Sequence, residues 1–273
     1  MPPGSPTHPG TPAAPGGWRL DHDRLAGTRF STVRIHEELP STNTALVEEA
    51  REGAPEGVVV VADHQTAGRG RLGRTWSAAP GTALLLSVLL RPPLPISEVP
   101  VVLMAAGLAA CDGVEAAAGF RPRLKWPNDL VVGDRKLAGL LTEATGGGDP
   151  GIVLGLGINV TAAAYPASLA GEATSCEEEG KGPVDRGELL VSFLAALESR
   201  YSTALAAGGR ETTFQAYRAD SATLGRRVRV ELTTGPPLEG QASRLADDGQ
   251  LVVVDDRGAE HHVNVGDVKH LRA

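Results

Sequence analysis

Two short apolar runs constrain the fold of this chain more than any other feature of its sequence. Residues 58–62 are four valines followed by an alanine, and residues 82–90 are mostly leucine and valine. Uninterrupted runs of this length are typical of strands buried inside a sheet. The second run stops at Arg91-Pro92-Pro93, where proline cannot continue a central strand. We therefore predict a domain built around buried strands.

Helical patterns alternate with further strands along the first 220 residues or so. Ser41 or Thr42 offers a cap for a short helix through Arg51, and Ser97 is predicted to cap an Ala-rich helix that ends near Ala118. Apolar residues at helical spacing predict a helix over 189–205, with a shorter one over 212–219. Additional strands are predicted over 29–39, 124–126, 130–132, 137–142 and 152–160. This order indicates a mixed α/β domain.

After about residue 220 the helical patterns end and only short strand patterns follow. The remaining chain carries short β runs over 227–232, 238–245, 251–254 and 261–265, separated by Gly-Pro and Asp-Gly turns. Strands at this spacing predict a small barrel of about 50 residues. At the other end, residues 1–17 are almost entirely Pro, Gly, Ala, Ser and Thr, a composition typical of a disordered tail. We therefore divide the chain into a tail (1–17), a large mixed α/β domain (18–221) and a β module (222–273).

Composition excludes several classes of function. The chain of 273 residues has 26 Lys and Arg against 33 Asp and Glu, so its net charge is 26 − 33 = −7 and it has no overall field for nucleic acid or anionic lipid. The two cysteines, Cys111 and Cys176, are far apart and predict free thiols rather than a metal site. We find neither a signal peptide nor an apolar run near the roughly 20 residues of a membrane span, and we expect a cytoplasmic protein.

The sharpest local feature is the arginine loop, residues 67–76, which directly follows the first buried strand. It holds three glycines, and Arg69, Arg71 and Arg74 fall within six residues of each other. Glycines allow close backbone approach to a ligand, and the planar guanidinium group is suited to phosphate. A solvated basic loop or a nucleic-acid contact is the alternative interpretation. The loop is neither a Walker A motif nor a dinucleotide fingerprint in its usual place.

A second constellation begins with Lys125-Trp126-Pro127-Asn128-Asp129, which has the chemistry of a turn and by itself predicts a hairpin. Lys136 follows inside an apolar, strand-like run. Such a lysine either extends its ammonium group to solvent or is held by an anion in a site, and the residues alone favour the first alternative. Gly155-Leu156-Gly157-Ile158-Asn159 ends another strand with a polar amide, which suits a ligand contact or a plain turn.

Together and in this order, these motifs resemble one family, the biotin protein ligases. The motifs that carry the resemblance are Ser41-Thr42-Asn43, the arginine loop with Gln65 and Trp76, Lys125-Trp126-Pro127-Asn128-Asp129, Lys136-Leu137-Ala138-Gly139 and Gly155-Leu156-Gly157-Ile158-Asn159-Val160. The resemblance covers roughly residues 30–270. It implies an α+β fold, with a mixed sheet flanked by helices in a biotin/lipoate ligase, class II synthetase-like catalytic domain and a small C-terminal SH3-like β-barrel.

The resemblance also implies a reaction. Biotin protein ligases condense biotin with ATP to biotinyl-5′-AMP and then pass biotin to a lysine of a biotin carboxyl carrier domain of acetyl-CoA or a related acyl-CoA carboxylase. Mg²⁺ is expected to accompany ATP, with no dedicated metal site in the protein. A lipoate or octanoate ligase or transferase of the same fold is the alternative enzyme. An inactive carrier-binding module is a rival from another class, although the presence of Lys136 and the three loop arginines argues against it.

The site residues follow from the same resemblance. The catalytic set is Lys136, Arg69, Arg71 and Asp129. Biotin is expected to contact Ser41, Thr42, Asn43, Gln65, Arg69, Gly70, Arg71 and Lys136. ATP is expected to contact Arg71, Arg74, Lys125, Trp76, Asn128 and Asn159.

Three further expectations concern partners and motion. Some members of the family carry an N-terminal helix-turn-helix and repress transcription. Here the sequence before Arg29 is a Pro/Gly tail and one short segment, so we expect no DNA binding. We expect a monomer or a weak homodimer without membrane contact. The arginine loop is expected to be mobile without ligand, since Leu72 is the one apolar side chain between Gly68 and Gly73 that could anchor it.

Overall fold

A seven-stranded mixed sheet lies at the centre of the first domain in the computed structural model, which describes residues 17–95, 98–146, 150–232, 235–264 and 266–271. Its strands are β1 (Val33–Leu39), β2 (Val59–Gln65), β3 (Ala83–Leu90), β4 (Arg123–Lys125), β5 (Asp129–Val132), β6 (Arg135–Ala144) and β7 (Ile152–Asn159). Their order in the sheet is β1-β2-β3-β7-β6-β5-β4. The pair β1 and β2 is parallel and the other described pairs are antiparallel, so the predicted mixed sheet is confirmed.

Helices cover both faces of this sheet, which explains the unbroken apolar runs. The helices are α1 (His22–Leu25), α2 (Thr42–Arg51), α3 (Pro100–Ala118), α4 (Cys176–Glu179), α5 (Arg186–Leu205) and α6 (Gly209–Asp220). Helices α3, α5 and α6 pack together, and α2 packs on the opposite face against β2, β3 and β7. Along β2, Val59 and Val61 point into the larger core with α3 and α5, whereas Val60 packs beside Leu46 of α2.

The helix ends follow the local chemistry of the sequence. Ser41 caps α2, as predicted, because its hydroxyl accepts a hydrogen bond from the Thr44 amide at 3.5 Å. Gly119 closes α3 in the left-handed conformation, with φ 77°. The cap predicted at Ser97 lies outside the described residues, as does the predicted tail apart from Gly17.

The prediction that no apolar run approaches the length of a membrane span is wrong for helix α3, which is long and apolar enough to cross a bilayer by length and composition alone. However, 72% of its most apolar stretch is buried inside the protein, where α3 packs along α5. Cys111 lies on this buried helix and Cys176 starts α4; both are free thiols whose pKa is raised to about 12 by burial. The apolar surface of α3 therefore belongs to the protein core.

The C-terminal module is a five-stranded antiparallel sheet with the SH3-like barrel architecture. Its strands are β8 (Arg227–Glu231), β9 (Leu238–Leu245), β10 (Leu251–Val254), β11 (Glu260–Val263) and β12 (Asp267–His270), in the order β11-β10-β9-β8-β12. Four of the strands were predicted, and β12 was missed because Val268 is its single apolar residue. Val268 and its inward-facing partners Val228 and Val230 are fully buried. The boundary at residue 221 stays a prediction.

The barrel is held against the turn that follows β4. The indole Nε1 of Trp126 donates to the Gly249 carbonyl at 3.0 Å, and its backbone N–H donates to Thr223 Oγ1 at 3.0 Å. His270 Nε2 lies 3.2 Å from the same Thr223 hydroxyl. An ion pair between Arg226 and Asp134, at 2.8 Å, joins the two domains beside these contacts. As a result, the beginning of β12 lies next to the arginine loop.

His270 gives this junction a pH dependence. Its side chain is 5% exposed, and burial together with the charges of Lys125 and Arg226 lowers its pKa from 6.5 to about 4. Below about pH 6.5 the unfolded chain binds a proton at this residue that the folded protein does not bind. We therefore expect the free energy of unfolding to fall as the pH drops from about 6.5 to about 4.

Urea unfolding at several pH values measures this effect. The His270→Gln variant should lose part of the pH dependence within that window, whereas His262→Gln, at an exposed position of β11, should keep it. An unchanged slope in His270→Gln would contradict the assignment.

Candidate active site

A cleft opens between the central sheet, the arginine loop and the first residues of β12. It encloses about 920 Å³, part of which is open to solvent, a size suited to a small-molecule ligand. Among the residues singled out in the sequence, those that line it are Ser41, Asn43, Gln65, Arg69, Gly70, Arg71, Arg74, Trp76, Lys125, Asn128, Asp129 and Lys136. The fold thus brings together residues from five separate segments of the chain, at positions 41–43, 65, 69–76, 125–129 and 136.

The arginine loop folds back on itself at one wall of the cleft. The Gly70 amide donates to the Arg74 carbonyl at 2.7 Å, and the Trp76 amide donates to the Gly68 carbonyl at 3.0 Å. At its tip, Leu72 has a positive φ of 57°, which is strained for a leucine, and it is 51% exposed. The single apolar side chain of the tip therefore does not anchor the loop.

Three arginines anchor the loop instead, each to a different wall of the cleft. Arg69 donates to Glu143 of β6 at 2.7 Å. Arg71 donates to Asn128, in the turn before β5, at 2.9 Å. Arg74 makes a two-pronged contact with Asp267 of β12, at 2.6 and 3.3 Å.

The electrostatic environments of these arginines differ. The hydrogen bond from Arg74 to Asp267 raises the pKa of Arg74, whereas burial lowers the pKa of Arg71. The side-chain partner of Arg71 in the described part of the chain is the neutral Asn128 amide, and no carboxylate of those residues pairs with it directly. Of the three arginines, Arg71 therefore presents the least neutralised charge to the cleft.

Lys136 lies on the cleft side of β6 and is held by an anion. Its ammonium Nζ is 2.7 Å from Asp129 Oδ1 and 5.4 Å from the centre of the Trp76 ring. The interpretation that this lysine extends away to solvent is therefore wrong. The apolar surround expected from its neighbours is also only partial, because Leu137 and Ala138 belong to the buried core and the Lys136 side chain stays 38% exposed.

The contact between Lys136 and Asp129 is close but poorly aligned. Although Nζ lies 2.7 Å away, Asp129 Oδ1 accepts no hydrogen bond of regular geometry from any residue that the structure describes. This buried oxygen can therefore accept a better oriented donor. A carboxylate of this kind beside an ammonium group suits a proton-handling or positioning role.

The cleft is positive in an otherwise acidic protein. Its lining includes Arg69, Arg71, Arg74, Lys125 and Lys136 against Asp129 and Asp267, so the formal charge of these seven residues is 5 − 2 = +3. Burial lowers the pKa of Lys125, which indicates that its ammonium group is held in a poorly solvated wall. A concentration of cations of this kind is suited to an anionic ligand such as a nucleotide.

The end of the cleft near Ser41, Asn43 and Gln65 is lined by uncharged polar side chains, and the charge of Arg69 at this end is paired with Glu143. Gln65 Oε1 accepts from the Thr42 amide at 2.7 Å, and the Thr42 hydroxyl lies 3.1 Å from the same oxygen. The buried Ser87 hydroxyl is 2.7 Å from Thr42 Oγ1 and donates to Asn43 Oδ1 at 2.6 Å. These hydrogen bonds fix the side chains of Gln65 and Asn43 that face the cleft.

Glycines form the floor between the two ends. A Cβ atom on Gly155 would lie 2.2 Å from Asn43 Oδ1, and one on Gly157 would lie 2.6 Å from Trp76 Cε2. Both distances are too short for real atoms. Asn43 and Trp76 can therefore approach β7 this closely only because positions 155 and 157 have no side chain. The buried indole Nε1 of Trp76 has no hydrogen-bond acceptor among the described residues.

Two of the predicted site residues do not line the cleft. The Thr42 side chain faces Gln65 and Ser87 rather than the cleft, and it supports Gln65 from behind the cleft wall. Asn159 donates to the Thr174 carbonyl at 2.9 Å and lies 3.5 Å from the Lys136 carbonyl, so its amide supports the backbone on the far side of Lys136. Its position does not support the expected contact with ATP.

Sequence reasoning missed three polar residues that organise the site. Ser87 interrupts an apolar strand, a visible signal whose meaning depends on the distant Asn43. Glu143 interrupts the end of the β6 pattern in a similar way. Asp267 gives no local signal, because its role depends on how the barrel lies against the arginine loop.

Comparison with known proteins gives a consistent picture. Residues 36–159 match the Biotin/lipoate A/B protein ligase family, and residues 223–271 match the Biotin protein ligase C terminal domain. The second match coincides with the five-stranded module.

Individual relatives match over most of the chain. The biotin–[acetyl-CoA-carboxylase] ligase of Mycobacterium tuberculosis is 39% identical over 90% of this chain and 92% of its own length. The bifunctional ligase/repressor BirA of Bacillus subtilis is 33% identical over 82% of this chain and 69% of its own. Among solved structures, the biotin protein ligase from Aquifex aeolicus in complex with biotin and ATP is similar, with a TM-score of 0.77, 27% identity, and coverage of 89% of this chain and 100% of that one.

The close packing of Trp76 on Gly157 can be tested without any ligand. We expect Gly157→Ala to displace the indole towards solvent, because the added Cβ would meet Cε2 at 2.6 Å. The Trp76 contribution to tryptophan fluorescence should then shift to longer wavelength. The same substitution in a Trp76→Phe background should leave the spectrum unchanged, and Gly171→Ala, where nothing lies within 4 Å, is the matched control. Equal spectra for Gly157→Ala and Gly171→Ala would contradict this packing.

Proposed function

The chain belongs to the biotin protein ligase family, and we propose that it activates biotin with ATP to biotinyl-5′-AMP and transfers biotin to a lysine of a carrier protein. The observation that carries the proposal is the division of one cleft into a neutral, hydrogen-bonding end and a cationic end, with Lys136 between them. This arrangement suits a ligand that is neutral at one end and anionic at the other.

Biotin fits the neutral end by its chemistry. Its ureido ring has two N–H donors and one carbonyl acceptor and carries no charge, so a site for it needs hydroxyl and amide groups. Ser41, Asn43 and Gln65 supply such groups on the cleft wall, and Thr42 supports Gln65 from behind. The Trp76 ring and the glycine floor form an apolar slot for the rest of the molecule, which ends at Lys136.

The cationic end suits the phosphates of ATP. In the first step a carboxylate oxygen of biotin attacks the α-phosphorus, the bond to the bridging oxygen breaks, and pyrophosphate leaves. Two anions must therefore meet, and fixed positive groups lower the cost of that approach. We assign Lys136 to the biotin carboxylate and to the acyl-phosphate oxygen, and Arg71, Lys125 and Arg74 to the phosphates.

The remaining loop residues complete this assignment. Gly70 allows the loop backbone to approach the ligand, and Arg69 lies over the biotin side of the cleft, 3.1 Å from Thr44 Oγ1. Asn128 holds Arg71 at 2.9 Å. Trp76 lies between the two ends and can contact either half of the adenylate.

Asp129 is assigned to the second step. The carrier amine attacks the acyl carbon of biotinyl-5′-AMP, the bond from that carbon to the phosphate oxygen breaks, AMP leaves, and the amine loses a proton. A lysine amine has a pKa of about 10.4 and is mostly protonated at neutral pH, so a nearby carboxylate assists its attack. Once the ligand takes over the contact with Lys136, the buried Oδ1 of Asp129 can accept from the incoming amine.

Mg²⁺ is proposed to enter with the nucleotide. The described residues contain no group of three or more His, Cys, Asp or Glu side chains that could hold a metal ion. Mg²⁺ commonly keeps several waters and binds through substrate phosphates, which fits the limited number of carboxylates in this cleft. The ion would offset phosphate charge.

A turnover assay tests the proposed function. Purified protein with ATP and Mg²⁺ should release pyrophosphate when biotin is added, and should then label the lysine of a biotin carboxyl carrier domain. Lipoate and octanoate in place of biotin distinguish the alternative ligase of the same fold. Failure to form biotinyl-5′-AMP by mass spectrometry would overturn the proposal.

Lys136→Ala provides the site-specific test. Because its ammonium group is assigned to the charge that develops at the acyl phosphate, we expect pyrophosphate release to fall by about 100-fold or more. Lys181→Ala, at an exposed position, is the matched control and should keep its activity. Near-normal turnover of Lys136→Ala in a folded protein would contradict the assignment.

The arginines of the loop are expected to differ in their contribution to ATP binding. Arg71→Ala should raise the KM for ATP by about 10-fold to 100-fold, as expected for loss of a hydrogen bond to a charged group. Arg74→Ala should have a smaller effect, because Asp267 already neutralises Arg74. Initial rates at varied ATP measure both, and a larger effect of Arg74→Ala would reverse the order proposed here.

The expectations on partners stay predictions. The name of the Mycobacterium tuberculosis relative supports a carrier domain of acetyl-CoA carboxylase as the acceptor. The absence of DNA binding, the oligomeric state and the cytoplasmic location also stay predictions. A mobility shift on operator DNA and sedimentation of the purified chain address the first two.

A further inference from the structure

Glu143 connects the two parts of the cleft through a single oxygen atom. It lies near the end of β6, and its Oε2 accepts from Asn43 Nδ2 at 2.8 Å and from Arg69 at 2.7 Å. Asn43 belongs to the sheet side of the cleft, at the start of α2, whereas Arg69 belongs to the arginine loop. One carboxylate therefore contacts both a residue of the pocket wall and a residue of the loop that covers it.

Glu143 also contributes the shortest contact of the Asn43 amide nitrogen and so favours one orientation of that amide. Ser87, which is fully buried, donates to Asn43 Oδ1 at 2.6 Å, and Glu143 accepts from Nδ2 on the other side. A reversed amide would place its oxygen against the Glu143 carboxylate, which is repulsive. The Leu141 carbonyl also accepts from Nδ2, at the longer distance of 3.4 Å, and the lack of a side chain on Gly155 leaves room for the amide.

The contact with Arg69 holds the loop on the same side. Besides Glu143, Arg69 donates to Thr44 Oγ1 at 3.1 Å, so its guanidinium group lies across the first turn of α2. The side chains of Arg69 and Glu143 are both partly exposed, and an isolated pair of this kind contributes little to the stability of the fold. Its effect is therefore expected in the position of the loop rather than in global stability.

We propose that Glu143 is a positioning residue that couples the orientation of Asn43 to closure of the arginine loop. This inference rests on the proposed function where it concerns biotin, but the hold on the loop is a property of the ligand-free protein. Occupation of the pocket next to Asn43 and closure of the loop through Arg69 then favour each other, because both depend on the same carboxylate.

The ligand-free protein provides the first test. Trypsin cleaves after arginine, and the loop carries Arg69, Arg71 and Arg74. In Glu143→Gln the carboxylate charge is lost while the size of the side chain is kept, so we expect cleavage within residues 67–76 to accelerate by about threefold to tenfold. Glu260→Gln, which removes an exposed carboxylate from its 2.8 Å pair with Arg244 in the barrel, is the matched control.

A double-mutant cycle tests whether Glu143 acts through Arg69. Arg69→Gln and Glu143→Gln should each accelerate cleavage at Arg71 and Arg74, and the double variant should be no faster than the faster single variant. Additive effects, or cleavage of Glu143→Gln at the wild-type rate, would overturn the proposal. Circular dichroism and urea unfolding confirm that each variant is folded.

Kinetics with biotin provide the second test. In Glu143→Gln we expect the KM for biotin to rise by about threefold to tenfold, with a smaller change in the KM for ATP. A kcat loss with both KM values unchanged would contradict a positioning role. If the wild-type protein does not turn over biotin, the proposed function fails, whereas the proteolysis experiments still decide whether Glu143 holds the loop.

Discussion

The concentration of positive charge in one cleft is the constraint on which the rest of the site depends. Five basic side chains border the cleft of a protein whose net charge is −7, and they would repel one another without intervening acids. Asp129, Glu143 and Asp267 each contact one of them, and they come from β5, β6 and β12. The arginine loop therefore lies over the cleft through contacts with strands of both domains.

The central sheet supplies the geometry for this arrangement. Strands β3 and β7 are buried along their whole length and carry Ser87 and the floor glycines, and β6, which carries Lys136, pairs with β7 in a fixed register. Lys136 lines the cleft, whereas the next two residues of β6, Leu137 and Ala138, belong to the core. The pairing of β5 with β6 shifts register at this point, so the strand is not regular where Lys136 leaves the core. The Trp126 and Thr223 contacts then add the barrel at a defined angle.

Much of this fold could be predicted from the sequence, because its elements have strong local patterns. The buried strands β2 and β3, the Ser41 cap and helix α5 follow from periodicity and capping chemistry. Strand β12 could not be found in this way, because one apolar residue in four carries no pattern. The order of the strands in the sheet is likewise set by pairings between distant segments, which local patterns do not specify.

The site shows the same division between local and distant information. The motifs gave the arginines, Lys136 and the polar residues of the pocket, but not what each of them contacts. The partners of Arg69 and Arg74 lie 74 and 193 residues further along the chain. The residues alone favoured a Lys136 that extends to solvent, and this interpretation was wrong. The contact between Lys136 and Asp129 depends on the pairing of β5 with β6, which local sequence does not show.

The contact between Arg74 and Asp267 has a consequence for protein engineering. It ties the barrel to the arginine loop, so the two domains are not interchangeable modules even though each has its own sheet. A chimaera that joins this first domain to the barrel of a relative would need an acid at the equivalent of position 267. Without it, the chimaera could fold well and still lack the contact that holds its arginine loop against the barrel.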